Sequence, residues 1–244
     1  MEHKRFHYKS MDELKQELTR IGVRLPLSDS LEALKREVKL GARTMHNSIA
    51  IQPMEGCDGT ADGRPAELTL RRYDRFARSG AGLIWAEAVA ITPEGRANPR
   101  QLWLTRDNLD DYKRFVYDMK QTCLKENGFE PIVIMQATHS GRYSKPEGVP
   151  APLIAYNNPI FEGDRPIAAD RILSDEYLYG LIDKFGVSAS LAEQAGFDGV
   201  DIKCCHRYLN SELLSAYDRE GDFGGALENR TRLLRGGIAA AQAA

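Results

Sequence analysis

Hydrophobic and polar positions fall into two regimes along this chain. In the first forty residues, Met11, Leu14, Leu18 and Ile21 recur at helical spacing among charged side chains, with Ser10 placed as N-cap. Pro26 and the Ser28, Asp29, Ser30 cluster end that helix, and a second short helix is expected over 31–36. Residues 38–40 and 44–46 flank Gly41 and Ala42, which predicts a small hairpin. From Ser48 onward, short apolar runs alternate with longer amphipathic ones. SIAIQ (48–52), LIWAE (83–87), IVIMQ (132–136) and GVDIK (199–203) read as strands. Helices are expected between them. One covers 65–79, with Leu68, Tyr73 and Phe76 as anchors. A second carries Leu109, Tyr112, Val116, Met119 and Cys123 on one face and stops at Asn127 and Gly128. The third is lined by Leu178, Leu181, Ile182, Phe185, Ala189 and Ala192, with Ser174 or Asp175 as cap. Such alternation predicts parallel βα units, and strands without polar alternation predict a sheet covered on both faces. The polar, proline-rich stretch over 141–166 is expected to be a long loop, either a lid or insulation.

The spacing changes what the length means. At 244 residues the chain matches one complete β/α barrel, which typically takes about 250. Strands starting at 48, 83, 132 and 199 recur about every 50 residues, and eight units close such a barrel. The expected fold class is therefore α/β of the (β/α)8 TIM-barrel type, incomplete, with about four βα units. Residues 1–37 are expected to form a charged helical extension and residues 38–244 the N-terminal half of a barrel. Such a half exposes two sheet edges. It is read as a fragment of a longer frame; a natural half-barrel that pairs with itself or another chain, and a degenerate product, are the alternatives.

Composition narrows the function classes. Of the residues, 42% are hydrophobic and 28% charged, and the net charge is −2. That gives no electrostatic case for nucleic acid, which requires a basic stripe. No apolar run approaches a bilayer span, and the start, MEHKRFHYKS, has no apolar segment behind its charges. Four cysteines without a CxxC pair do not suggest a disulfide framework, an iron–sulfur site or a zinc site. No metal site is expected, and a reducing, cytoplasmic setting is. Cys57, Cys204 and Cys205 read as small buried fillers, with a redox role for the adjacent pair as the alternative.

Candidate chemistry gathers at the strand ends, where parallel barrels carry their sites. Pro53, Met54 and Glu55 follow the first strand and Ala88 the second; Gln136 ends the third, ahead of His139 and Arg142. Lys203, His206, Arg207 and Tyr208 follow the fourth. These groups suit a planar ligand with several hydrogen-bonding edges, beside an acid–base pair.

NSIAIQPM (47–54), GAGLIWAEAVAITPEGR (80–96), QATHSGR (136–142) and GFDGVDIKCCHRYLNSELLS (196–215), running into FGGALENRTR (223–232), resemble the Old Yellow Enzyme family of FMN-dependent NAD(P)H:flavin oxidoreductases and ene-reductases. The resemblance covers roughly 38–234. It implies FMN across the strand ends, with Pro53, Met54, Glu55, Ala88 and Gln136 as flavin contacts and NADH or NADPH as reductant. It further implies that reduced FMN passes hydride to the β-carbon of an α,β-unsaturated carbonyl substrate. Tyr208 then supplies the proton, and Lys203 and His206, at the family's His-x-x-His or His-x-x-Asn positions, grip the carbonyl oxygen. The family's phosphate site, near the seventh and eighth strands, is expected to be absent. Lys203 departs from the usual His; it acts as a point-charge donor, or it pairs with a carboxylate such as Glu87 and never meets substrate. Glu55 replaces a small Thr, Ser or Cys. Its carboxylate either opposes charge on reduced flavin or turns away and leaves only its N–H. His139 and Arg142 read as loop-fixing. The partner is a small molecule, joined by a second copy or the missing C-terminal half. The alternatives are a non-catalytic half-barrel scaffold and a flavin-independent barrel enzyme.

Overall fold

The computed structural model describes residues 5–244; residues 1–4 of the expected extension lie outside the described residues. Helix α1 (Met11–Arg20) starts at Ser10, whose hydroxyl accepts the Glu13 N–H at 3.2 Å. It buries no residue, and neither does the short α2 (Glu32–Lys35). Strands β1 (Val38–Leu40) and β2 (Arg43–Met45) form the expected antiparallel hairpin. The chain then continues through β3 (Ala50–Ile51), α3 (Glu67–Arg78), β4 (Leu83–Ala90), α4 (Leu109–Asn127), β5 (Ile132–Thr138), α5 (Pro159–Glu162), α6 (Asp175–Gln194) and β6 (Gly199–Ile202). It ends in α7 (Leu209–Leu213), α8 (Leu227–Arg230) and α9 (Arg232–Ala243).

Strands β3 to β6 form one parallel sheet in sequence order. Among the described residues the sheet is open, with β3 and β6 at its edges. It is half of a TIM-type barrel wall, as the strand spacing predicts. Its convex face is the main core. Ile84, Ala86, Val133, Met135, Ala137 and Ile202 pack there against Tyr73 and Ala77 of α3, Phe115, Val116 and Met119 of α4, and Phe185 and Ala192 of α6. Each large side chain so buried contributes about 1.5–3 kcal/mol. The concave face alternates with it. Leu83 and Ile132, with Trp85 and Ile134 beside them, meet Met45 and Val38 of the hairpin and close the N-terminal end. Asp198 ties that end together: buried, it pairs with Arg43 at 2.9 Å and Lys120 at 2.9 Å and accepts the Val133 N–H.

Helix α4 ends where Gly128 adopts φ 82°, the left-handed cap that the Asn127–Gly128 pair predicts. Ser174, not Asp175, caps α6. The Leu68 anchor does not hold: it is 45% exposed, while Thr69, Tyr73 and Ala77 turn inward. Glu67 starts α3 later than expected, and the phase of the helix follows from that start. The second strand runs three residues past the expected Glu87. A bulge there shifts the register between Ala86 and Ala88, which a one-residue insertion does to the pleat.

Candidate functional site

The bulge in β4 decides which side chain faces the concave site. Trp85 pairs with Ile134 in register, and Ala88, not Glu87, pairs with Gln136. Glu87 is thereby sent toward α3, where Arg72 pairs with it and with Asp58. Asp58 also accepts from Thr69 at 2.6 Å, and the Glu87 N–H donates to the Tyr73 hydroxyl at 2.6 Å. Burial pushes the Glu87 carboxyl up despite Arg72. Burial would also raise Asp58, but the bonds from Arg72 and Thr69 carry it below its ordinary value. The other Glu87 oxygen accepts the Gly56 N–H at 2.9 Å. This fixes the segment after β3. Gly56 leaves the Arg72 guanidinium its place, since a Cβ would run into it.

That segment presents Glu55. Its Oε1 accepts from Lys203 Nζ at 3.2 Å and from the Tyr208 hydroxyl at 3.2 Å. Of the two readings of Lys203, the structure shows the pairing with a carboxylate, and the partner is Glu55 rather than Glu87, because the bulge commits Glu87 to Arg72. The Glu55 side chain therefore turns into the site rather than away. Lys203 is buried and its Nζ lies 4.1 Å from the Tyr208 ring centroid, on the ring face. Its backbone is held by Ala137 and Asn210. Burial first, then Glu55, pushes the Tyr208 phenol well above its ordinary range.

His206 and Arg207 have φ of 58° and 56°, left-handed conformations that side chains seldom adopt. The turn brings the His206 ring to 6.4 Å from that of Tyr208. A cleft of about 380 Å³ is lined by Glu55, Cys57, Tyr143, Lys145, His206 and Tyr208, among others. Met54 is 71% exposed, and Pro53 before it is half-buried. Gln136 is buried one strand from Lys203 and donates to Asp201 at 2.6 Å. The sequence reading missed Asp201; its signal is the two-residue step to Lys203, which puts both on one face. The Ala88 carbonyl accepts from Gln101 at 3.1 Å.

The long loop is a fixed wall. Arg142 pairs with Glu162 of α5 and with Glu212 of α7. Phe161 lies under Arg142 and Arg207, at 5.1 and 4.6 Å. Burial lifts the Glu212 carboxyl to about 7, against the pull of Arg142. His139 is buried; its Nδ1 accepts the Gly141 N–H at 3.1 Å, which assigns its proton to Nε2, 3.1 Å from the Tyr177 hydroxyl. Tyr177 in turn donates to Glu94 at 2.6 Å. His139 and Arg142 thus fix the loop, as read from the sequence. Cys57 and Cys205 are exposed and Cys204 half-buried, so these three are not the buried fillers expected, and all are free thiols. All three lie outside the helices and strands.

Burial pushes His139 down to about 4 from 6.5. The unfolded chain therefore takes up a proton at higher pH than the folded one. The stability this supplies is present above pH 6.5 and is lost as pH falls toward 4, up to ~3 kcal/mol over the window. Denaturant unfolding across that range is expected to show this slope, and His139→Gln to remove it. An equal slope in the variant would assign it elsewhere.

Among the described residues, no helix is long and apolar enough to cross a membrane, and no three His, Cys, Asp or Glu side chains are grouped to hold a metal. Residues 35–243 match the model of the NADH:flavin oxidoreductase / NADH oxidase family. The chain is 31% identical over 197 residues to an NADPH dehydrogenase of Halalkalibacterium halodurans, covering 79% of this chain and 54% of the relative. It is 30% identical over 200 residues to the NADPH dehydrogenase of Bacillus subtilis, with the same coverage, 79% and 54%. The chain thus spans about half the length of these curated relatives. Among solved structures, the old yellow enzyme homologue from Zymomonas mobilis superimposes with TM-score 0.71 at 27% identity, over 86% of this chain and 60% of that one. Morphinone reductase in complex with tetrahydroNAD gives TM-score 0.72 at 23% identity, over 86% and 60%, a likeness of fold.

Proposed function

The chain belongs to the NADH:flavin oxidoreductase / NADH oxidase family, and from that premise we propose that its site serves the FMN-dependent reduction of an activated alkene, an α,β-unsaturated carbonyl compound, at the expense of NADH or NADPH. One observation carries this reading: Lys203, Tyr208 and His206 converge on the strand-end rim, with Gln136 on the neighbouring strand.

The residues present fit the flavin ring. Gln136 spends one amide hydrogen on Asp201, leaving a carbonyl oxygen and a second hydrogen for an edge that both donates and accepts. Ala88 beside it offers only a methyl group, which leaves room for a flat ring. Gln136, Ala88 and the segment Pro53, Met54 and Glu55 would hold the ring, and FMN, when bound, supplies the carrier of hydride from the nicotinamide to the alkene. An ammonium has three donors; Lys203 gives one to Glu55 and keeps others for the substrate carbonyl oxygen. With His206 it stabilises the enolate oxygen, while Tyr208 protonates the α-carbon.

The test is to titrate the protein with FMN, following flavin fluorescence, and to assay NADPH-driven reduction of 2-cyclohexenone. Because the phosphate site is expected to be absent, flavin binding is expected to be weak and to need excess FMN, with enone turnover by the loaded protein; flavin-loaded protein that leaves every enone and enal untouched would sink the reading. Lys203→Met is expected to lower enone turnover by about 10²-fold, as loss of an oxyanion donor does. Unchanged kinetics would remove Lys203 from that role.

A further inference from the structure

The carboxylate of Glu55 receives the ammonium of Lys203 and the hydroxyl of Tyr208 on one oxygen, each at 3.2 Å. Side-chain exposures of 4% for Lys203 and 16% for Glu55 keep the pair largely from bulk water. A phenol that gives away its proton becomes a phenolate. Here burial and the facing Glu55 carboxylate make that product costly. The phenol hydrogen, moreover, is directed at Glu55 rather than into the cleft. Both obstacles disappear if a proton reaches the phenol oxygen as another leaves it.

We propose that Glu55 is the conduit between Lys203 and Tyr208, so that the proton delivered to substrate is replaced from the lysine ammonium without a free phenolate. The proposal rests on the reading of the site as an alkene reductase. In this step a Lys203 N–H bond breaks as an O–H bond forms on Glu55. With Glu55 protonated, its O–H turns to donate to the Tyr208 oxygen and the phenol O–H swings from the carboxylate to the substrate; the Glu55 proton then passes to Tyr208 as the original phenol O–H bond breaks toward the substrate. The electron pair of the enolate forms the new C–H bond. Glu55 ends as a carboxylate, Tyr208 as a phenol and Lys203 as a neutral amine, which water reprotonates. No group in the relay is oxidised or reduced. The timing suits Lys203: protonation of the α-carbon removes the enolate charge that its own charge would stabilise. Cys57, Tyr143 and His206 line the cleft around this pair. Glu55 acts through Tyr208 and is a positioning residue.

Two measurements test this. In the protein without cofactor, the tyrosinate absorbance assigned to Tyr208, by difference from each Tyr208→Phe counterpart, is expected to appear at least one pH unit lower in Glu55→Gln. It is expected to appear at higher pH in Lys203→Met. A Tyr208 ionisation indifferent to Glu55→Gln overturns the coupling. In flavin-loaded, pre-reduced protein, the rate of enone reduction is followed against the deuterium fraction of the solvent. A downward-bowed dependence, with two protons in flight, is expected for the natural protein and for Glu55→Asp. A linear one, with a rate at least tenfold lower, is expected for Glu55→Gln. Linearity in the natural protein overturns the relay while leaving the reductase reading intact. A rate unaffected by both Tyr208→Phe and Lys203→Met overturns the reading beneath it.

Discussion

Tyr208→Phe is expected to lower enone reduction by the flavin-loaded protein by about 10²–10⁴-fold, the usual worth of a positioned general acid. The substitution removes one oxygen and little else. The ring keeps its place beneath Lys203 Nζ at 4.1 Å and its tilted contact with Tyr143 at 5.9 Å. The lost bond to Glu55 costs about 1 kcal/mol of stability, and Lys203 still neutralises the carboxylate. Folding and flavin binding are therefore expected to persist, so that the loss falls on the protonation step. Stopped-flow mixing of pre-reduced protein with enone measures that step directly. A rate within threefold of the natural protein would take the phenol out of the chemistry and pass the proton-donor role to another group lining the cleft, such as His206 or Tyr143.

Arg72→Met is expected to reduce the unfolding free energy by about 3–5 kcal/mol, the cost of leaving a buried charge unpaired. Arg72 serves two carboxylates at once, Asp58 and Glu87, and the Glu87 side chain is only 1% exposed. Methionine fills much of the volume but provides no donor. Glu87 then meets burial, which already pushes it up, without its partner. The deficit is expected to shrink as pH falls and Asp58 and Glu87 take up protons. Lowered pH therefore narrows the gap between variant and natural protein, from which the loss tied to His139, common to both, cancels. The effect reaches the site as well: Glu87 holds Gly56, and Gly56 follows Glu55. Urea unfolding at several pH values measures the first effect, and the Tyr208 ionisation measures the second. A variant as stable as the natural protein at neutral pH would show that water reaches these carboxylates and does Arg72's work.

The half-barrel was legible because it rests on local rules. Apolar runs of strand length, amphipathic helices between them and caps at Ser10, Ser174 and Gly128 are set by neighbours in the chain. The alternation of β and α then leaves few arrangements for a parallel sheet. Lys203, His206 and Tyr208 were legible as a group because they follow one strand within six residues.

The partner of Lys203 was not legible. Glu55 and Glu87 are both carboxylates at strand ends, and composition treats them alike. A bulge in β4 separates them, sending Glu87 to Arg72 and leaving Glu55 to face Lys203 and Tyr208. The same bulge puts Ala88 beside Gln136, and strand pairing puts Asp201 on its other side. The exposed Cys57 and Cys205 escaped for a related reason, since residue type says little about which turn lifts a thiol clear of the core. The sequence by itself determined the order of elements and the chemistry available at the rim, because hydrophobic period and capping act over a few residues. Only the tertiary structure decided which charge meets which, because ion pairs such as Glu55 with Lys203 join positions 148 residues apart, and strand register, not sequence distance, sets their encounter.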